Sequence, residues 1–155
     1  MREPEYTRSI ARLLPRDVYA LKVHTSYTNG VADSWYSGSR GDLWVEWKYL
    51  KRLPRSLDLC SGKQPILSQL QQDWLTCRHN EGRHVAVIVG IAKGGVIFPG
   101  LLWKRVIEGS EFLSFLRSKK QIAGWITQQC VEGYAPSEMP AVAAPSTLAG
   151  RRKRS

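Results

Sequence analysis

The run Val85-Ala86-Val87-Ile88-Val89-Gly90-Ile91 constrains the fold more than any other stretch of the chain. It has the length of a strand, far short of the roughly 20 apolar residues that cross a membrane. Its apolar side chains fall on both parities, so both faces of that strand need cover. A sheet flanked by helices supplies such cover, and this run is expected at the centre of the sheet. With 155 residues, 43% of them hydrophobic and 23% charged, the chain suits one domain, or one domain plus tails, and excludes wholesale disorder. A body of this size buries roughly 70% of its unfolded surface.

The remaining signals order themselves around that strand. Glu3, Tyr6, Ile10, Leu13 and Leu14 recur at spacings of three and four, predicting a helix over 3–14 that Pro15 ends. Tyr19, Leu21 and Val23 alternate as a strand, and after the Asn29-Gly30 turn come extended pieces at 33–36 and 43–49, joined by the hairpin loop 37–41. A Pro-bearing loop at 53–65 leads to a helix over 67–78 with Leu67, Leu70, Trp74, Leu75 and Cys77 on one side. Ser68-x-x-Gln71 has the form of a capping box at its start. Lys93-Gly94-Gly95 turns the chain into Val96-Ile97-Phe98, and Phe112, Phe115, Leu116 and 122–126 form a last helical piece. This is a mixed α/β order without internal repeats. From Tyr134 onward, Pro136, Pro140, Pro145 and small residues lead to Arg151-Arg152-Lys153-Arg154, read as a disordered basic tail, 134–155, following one domain at 1–133.

Cys60, Cys77 and Cys130 are odd in number and have no zinc-ligand spacing, the usage of reduced thiols. Met1-Arg2-Glu3-Pro4-Glu5 has no apolar signal core, so the expectation is a cytoplasmic protein that is neither secreted nor membrane-bound. The excess of 23 Lys and Arg over 13 Asp and Glu gives a formal charge of +10, which favours a polyanionic partner. Four of those charges belong to the terminal basic cluster.

Chemistry concentrates in Gly41-Asp42-Leu43-Trp44-Val45-Glu46-Trp47-Lys48. Alternation turns Leu43, Val45 and Trp47 toward the core and Trp44, Glu46 and Lys48 to the other face. Glu46 and Lys48 are then about 6.6 Å apart along the strand and can address one site. Asp33, across the hairpin, adds a second carboxylate. Two carboxylates with water and phosphate oxygens suit Mg²⁺, which prefers hard ligands and keeps several waters. Asp42 shares this parity but lies about 13 Å from Glu46, too far for the same site. His24, His79 and His84 have no metal-binding spacing. Of the tryptophans, Trp35, Trp44, Trp47, Trp74, Trp103 and Trp125, core packing is the default for most, and Trp44, which shares the Glu46 face, is the one singled out for stacking on unpaired bases.

Gly30-Val31-Ala32-Asp33 followed by Gly41 to Lys48 resembles the active-site signature of the PD-(D/E)XK nucleases. The similarity is greatest to the VRR-type (virus-type replication-repair) branch, which includes small phage proteins. Leu67-Ser68-Gln69-Leu70-Gln71 and Gly82-Arg83-His84-Val85 follow in that branch's order, and the likeness runs from Glu3 to Phe98. Ala32 stands where the family has proline. The resemblance implies a restriction-endonuclease-like core in which Asp33, Glu46 and the Trp47 carbonyl hold Mg²⁺, or Mn²⁺ in its place. By the same resemblance, Lys48 orients the attacking water or stabilises charge on the phosphorus. Glu3 looks like the helical acidic residue some members place near the metal, although Glu5 is also available. Gln71 either closes the capping box or leans toward Lys48 and the water.

The expected activity is metal-dependent hydrolysis of DNA phosphodiesters, with branched or junction DNA and phage replication, recombination or repair as a setting, in the host cytoplasm. Lys51, Arg52 and Arg55, with Arg151, Arg152, Lys153 and Arg154, are the expected phosphate contacts. DNA is the expected partner, and a homodimer would favour symmetric junctions. The rival reading is a catalytically inactive nuclease fold that binds DNA as a replication accessory.

Overall fold

The computed structural model describes residues 1–25 and 29–133. The basic tail expected at 134–155, with Arg151 to Arg154, lies outside them. Helix α1 (Glu3–Ala11) opens with Pro4 in its first turn, and the Arg2 backbone N–H donates to the Glu5 carboxylate at 3.0 Å. Tyr6 and Ile10, one turn apart, are its buried pair. The helix stops a turn earlier than expected. Leu13 is exposed, so its extra turn would bury little, and Pro15 disfavours helical geometry at residue 14.

Strands β1 (Tyr19–Lys22), β2 (Ser34–Ser37) and β3 (Asp42–Tyr49) form an antiparallel meander. The hairpin between β2 and β3 carries Gly38 and Gly41, over which the C-terminal turn of a later helix docks. A Cβ at either position would stand 2.6 Å from the Cys130 carbonyl oxygen or 2.7 Å from that of Gln129. The loop after β3 contains a short strand, β4 (Ser56–Leu57), and is followed by helix α2 (Gln69–Asn80), capped by Ser68. The chain then returns parallel to β3 as β5 (Val85–Ile91) and turns back as β6 (Gly94–Pro99), giving the order β1-β2-β3-β5-β6.

β5 is buried along its whole length, as its composition requires, but it is not the central strand. That position belongs to β3, because the N-terminal meander adds two strands on one side and only β6 lies on the other. Past β6, β7 (Ile107–Glu108) pairs with β4 as a second, two-stranded sheet. The last helical piece resolves into α3 (Gly109–Ser114) and α4 (Lys119–Val131), separated because Ser118 and Gln121 form a new capping box.

Each face of the sheet has its own core. Helices α1 and α4 cover one, where Tyr6, Ile10, Ile122 and Ile126 meet Leu43, Val45, Trp47 and Ile88. The other gathers Val85, Val87, Val89, Leu67, Leu75, Trp103 and Phe112. Leu70 and Cys77, expected on the inner side of α2, are exposed, since the helix rests on the sheet mainly through Leu75 and Trp74. Among the described residues, no helix is long and apolar enough to cross a membrane.

Candidate active site

β3 presents the two sets of side chains that alternation demands. Leu43, Val45 and Trp47 enter the α1/α4 core, while Trp44, Glu46 and Lys48 face α2. Glu46 is 1% exposed, a charge-bearing group at the middle strand of the sheet. Its Oε1 accepts two contacts: the Gln71 side-chain amide at 2.6 Å and the Lys48 ammonium at 3.1 Å. Its Oε2 is buried and has no partner. Among the described residues this is the only carboxylate oxygen so placed, and a buried polar atom in that state is one that a water or an ion satisfies.

Asp33 sits one residue before β2. The ladder pairs Ser34 with Val45, so continuing it brings Asp33 level with Glu46. Asp33 gives its backbone carbonyl to Val23 at 2.8 Å, and its Oδ2 accepts the Trp47 backbone N–H at 3.0 Å. A side chain thus makes the contact that the residue before it, had the ladder continued, would have made. The amide and carbonyl of one strand residue point to the same side, so the Trp47 carbonyl shares this edge.

Glu3 reaches the same edge from the first turn of α1. Its carboxylate lies beside the Tyr49 backbone N–H, within electrostatic range of Lys48, Asp33 and Lys22, and is held above the ordinary range chiefly by burial. Glu5 is instead engaged by Arg2 at the start of the helix, so the choice between the two acids falls on Glu3. A cleft of about 70 Å³, lined by Glu3, Thr7, Lys22, Asp33 and Trp47 among others, opens there. Glu46 is not on its wall.

The electrostatics follow from this crowding. Burial, then the neighbouring Asp33 charge, push Glu46 up to about 8, against the pull of Lys48; Glu3 adds to the push. Carboxylates gathered in this way repel one another, and either a proton or a cation relieves the repulsion. Among the described residues, no three His, Cys, Asp or Glu side chains form a ready-made metal cage. The donor set has the other form available to Mg²⁺: a few protein oxygens, with waters completing the shell. The orphaned Oε2 of Glu46, the Asp33 carboxylate and the Trp47 carbonyl fit such an ion.

Gln71 fills both of the roles that its spacing left open. Its Oε1 accepts the Ser68 backbone N–H at 3.0 Å in the capping box, while its Nε2 donates to Glu46. Its partner at the site is Glu46, not Lys48. Asp42, excluded on distance, is occupied elsewhere: its Oδ2 accepts the Trp35 indole N–H at 3.1 Å. Ala32, where the signature that the sequence resembles has proline, is buried in the core beneath α2. Gly30 adopts φ +86° and a Cβ there would meet the Leu70 carbonyl at 2.5 Å, so this glycine lets the turn before Asp33 seat on α2. Lys51, Arg52 and Arg55 are exposed just after β3, while Arg151, Arg152, Lys153 and Arg154 lie outside the described residues.

Two cleft residues went unnoticed in the sequence. Thr7 stands four positions after Glu3 and therefore on the same helix face, a legible signal. Lys22 has the opposite parity to Tyr19 and Leu21, but which face that meant depended on the pairing of Lys22 with Ser34, which sequence does not give.

Comparison with known proteins places the fold. The Holliday junction resolvase Hjc of Archaeoglobus fulgidus superposes with a TM-score of 0.51 and 19% identity, over 79% of this chain and 100% of that one. The fold is restriction-endonuclease-like, a mixed sheet between helices. No family model matches the chain, and no curated protein matches it.

Proposed function

We propose that this protein is a divalent-metal-dependent DNA endonuclease, with Asp33, Glu46 and the Trp47 carbonyl as metal ligands and Lys48 and Gln71 acting beside them. The observation that carries the reading is the unpartnered Glu46 Oε2, buried at the middle strand while its sister oxygen is fixed by Lys48 and Gln71. A bound Mg²⁺ or Mn²⁺ would polarise the scissile phosphate and make water a competent nucleophile near neutral pH.

The chain's own groups do the remaining work. Gln71 and Lys48 hold Glu46 in one orientation, so its second oxygen is preorganised rather than free to rotate. Trp47 N–H holds Asp33 in the same way. Lys48, 17% exposed, is the one cation of the group in contact with both the buried carboxylate and solvent, which suits it to approach a phosphate oxygen and the attacking water. Glu3 and Lys22 bound the cleft beside Asp33. Exposed Lys51, Arg52 and Arg55 and the terminal basic cluster supply sequence-independent phosphate attraction.

The fold-level likeness to a junction resolvase, together with the sequence resemblance to VRR-type nucleases, favours branched DNA as substrate and phage replication, recombination or repair as the setting. A homodimer would present two such sites to a symmetric four-way junction.

The deciding experiment is cleavage of plasmid, single-stranded, flapped and four-way-junction DNA with Mg²⁺, Mn²⁺ or EDTA. Cleavage that needs the metal and is lost in Glu46→Gln is expected. Undiminished cleavage in Glu46→Gln or Lys48→Ala protein would reject the assignment. The Glu46–Lys48 ion pair favours one rival, an inactive DNA-binding nuclease fold, which predicts salt-dependent binding without turnover under every metal.

A further inference from the structure

An aromatic row crosses the face of the sheet that carries Glu46. Tyr19 on β1 meets Trp35 on β2 with ring centroids 6.1 Å apart at 68°. Trp35 meets Trp44 on β3 at 6.1 Å and 40°, and Trp44 meets Trp74 on α2 at 5.2 Å and 72°. Trp35 and Trp44 are direct partners in the strand register. Trp44 precedes Glu46 by two residues on the same face, about 6.6 Å along the strand.

The row runs outward from a core: Trp44 and Trp74 pack against the cluster beneath α2, and the Tyr19 end opens to solvent. The three tryptophans are only half-buried, Tyr19 is 58% exposed, and Leu21 and Leu70 are exposed alongside. Aromatic area left facing solvent beside a candidate catalytic group marks a contact surface. The row is also held rigid: Asp42 fixes the Trp35 indole through its N–H, which leaves the ring face, not its polar edge, for a partner. The overall charge of +10 and exposed Lys51, Arg52 and Arg55 beyond Lys48 make that partner a polyanion.

The geometry points to unpaired nucleobases as the occupant. The row stacks bases of the strand that continues from the phosphate held at Glu46 and Lys48. Bases inside a duplex keep their faces against one another and cannot offer them to a sheet, whereas unpaired bases stack on aromatic rings without regard to sequence. The inference rests on the nuclease reading and sharpens it: the substrate class is DNA with a single-stranded stretch adjoining the cleavage point, such as a flap, bulge or opened branch.

The test is done first without metal. In EDTA, a short oligodeoxythymidylate carrying one 2-aminopurine, and a duplex of the same length, are titrated with wild-type protein and with Tyr19→Ala, Trp35→Leu and Trp35→Phe variants at one salt concentration. Quenching of the 2-aminopurine is expected in wild type, with about a tenfold loss of single-strand affinity for each ring removed. Duplex affinity should be unchanged and Trp35→Phe should restore most of the loss. Because Tyr19 is exposed, its variant carries the test even if Trp35→Leu fails to fold. Absent quenching, equal losses on single strand and duplex, or a change of sedimentation mass in place of base binding would overturn the proposal. A parallel cleavage assay in Mg²⁺ separates the two readings. Stacking without cleavage of any DNA removes the nuclease alone, and cleavage indifferent to Tyr19→Ala removes the stacking row alone.

Discussion

The two faces of β3 do opposite work with alternate residues of one strand. On the α1/α4 face, Leu43, Val45 and Trp47 vanish into apolar packing. On the other, Trp44, Glu46 and Lys48 lie with a buried carboxylate that has one oxygen unsatisfied and with a row of partly buried rings. The first arrangement lowers the free energy of the fold. The second raises it, because burying a carboxyl group without full partners is costly. A sheet therefore separates stability from chemistry by parity alone.

That contrast breaks if substitutions on the two faces have the same consequence. The largest effect is expected from Lys48→Ala, which should lower the single-turnover cleavage rate by about 10²–10³-fold while moving the urea midpoint less than a core truncation does. Leu43→Ala, on the opposite face, should reverse the pattern, losing about 3 kcal/mol of stability in urea unfolding and keeping the rate per folded molecule. Comparable unfolding of both variants would show that the site face is structural after all.

A pH experiment sharpens the same comparison. Glu46 is held up to about 8 in the folded protein, against an ordinary 4.5. Between those values the folded state keeps a proton that the unfolded chain has released, so the contribution of Glu46 to stability is greatest below about pH 4.5 and falls as pH rises toward 8. In EDTA, urea midpoints should decline across this window, and Glu46→Gln should flatten the decline. An identical slope in the variant would place the strained acid elsewhere.

The smallest effects divide the two roles of Gln71. Ser68→Ala should cost about 1 kcal/mol through the lost cap and leave cleavage nearly unchanged. Gln71→Glu keeps an acceptor for the Ser68 N–H but sets a second carboxyl against Glu46, so the rate should fall while α2 remains capped. Equal behaviour of the two variants in thermal melts and rate assays would reduce Gln71 to a cap.

How much of this was legible follows from how local each signal is. Alternation in 42–48, the apolar run at 85–91 and the Ser68–Gln71 box are each written within a few residues, and each appears as read. Ser118-x-x-Gln121 was equally local and would have separated α3 from α4. The pairing of β4 with β7 was not legible: two residues become a strand only because a segment some 50 positions away lies beside them. The central position of β3 and the exposure of Leu70 depend in the same way on what docks where. At the site, the convergence of Asp33 with Glu46 needed only the hairpin register. The second bond of Gln71 and the place of Lys22 needed the tertiary fold.

The fork where β2 leaves β3 has a consequence for side-chain length. Asp33 spans the divergence with a single methylene and anchors on the Trp47 amide. Its reach therefore gauges the gap, much as a spacer sets the opening of a jaw. A glutamate there would have one carbon too many to keep that anchor and stay level with Glu46, so the opening between the strands admits aspartate on grounds of size, with charge common to both acids.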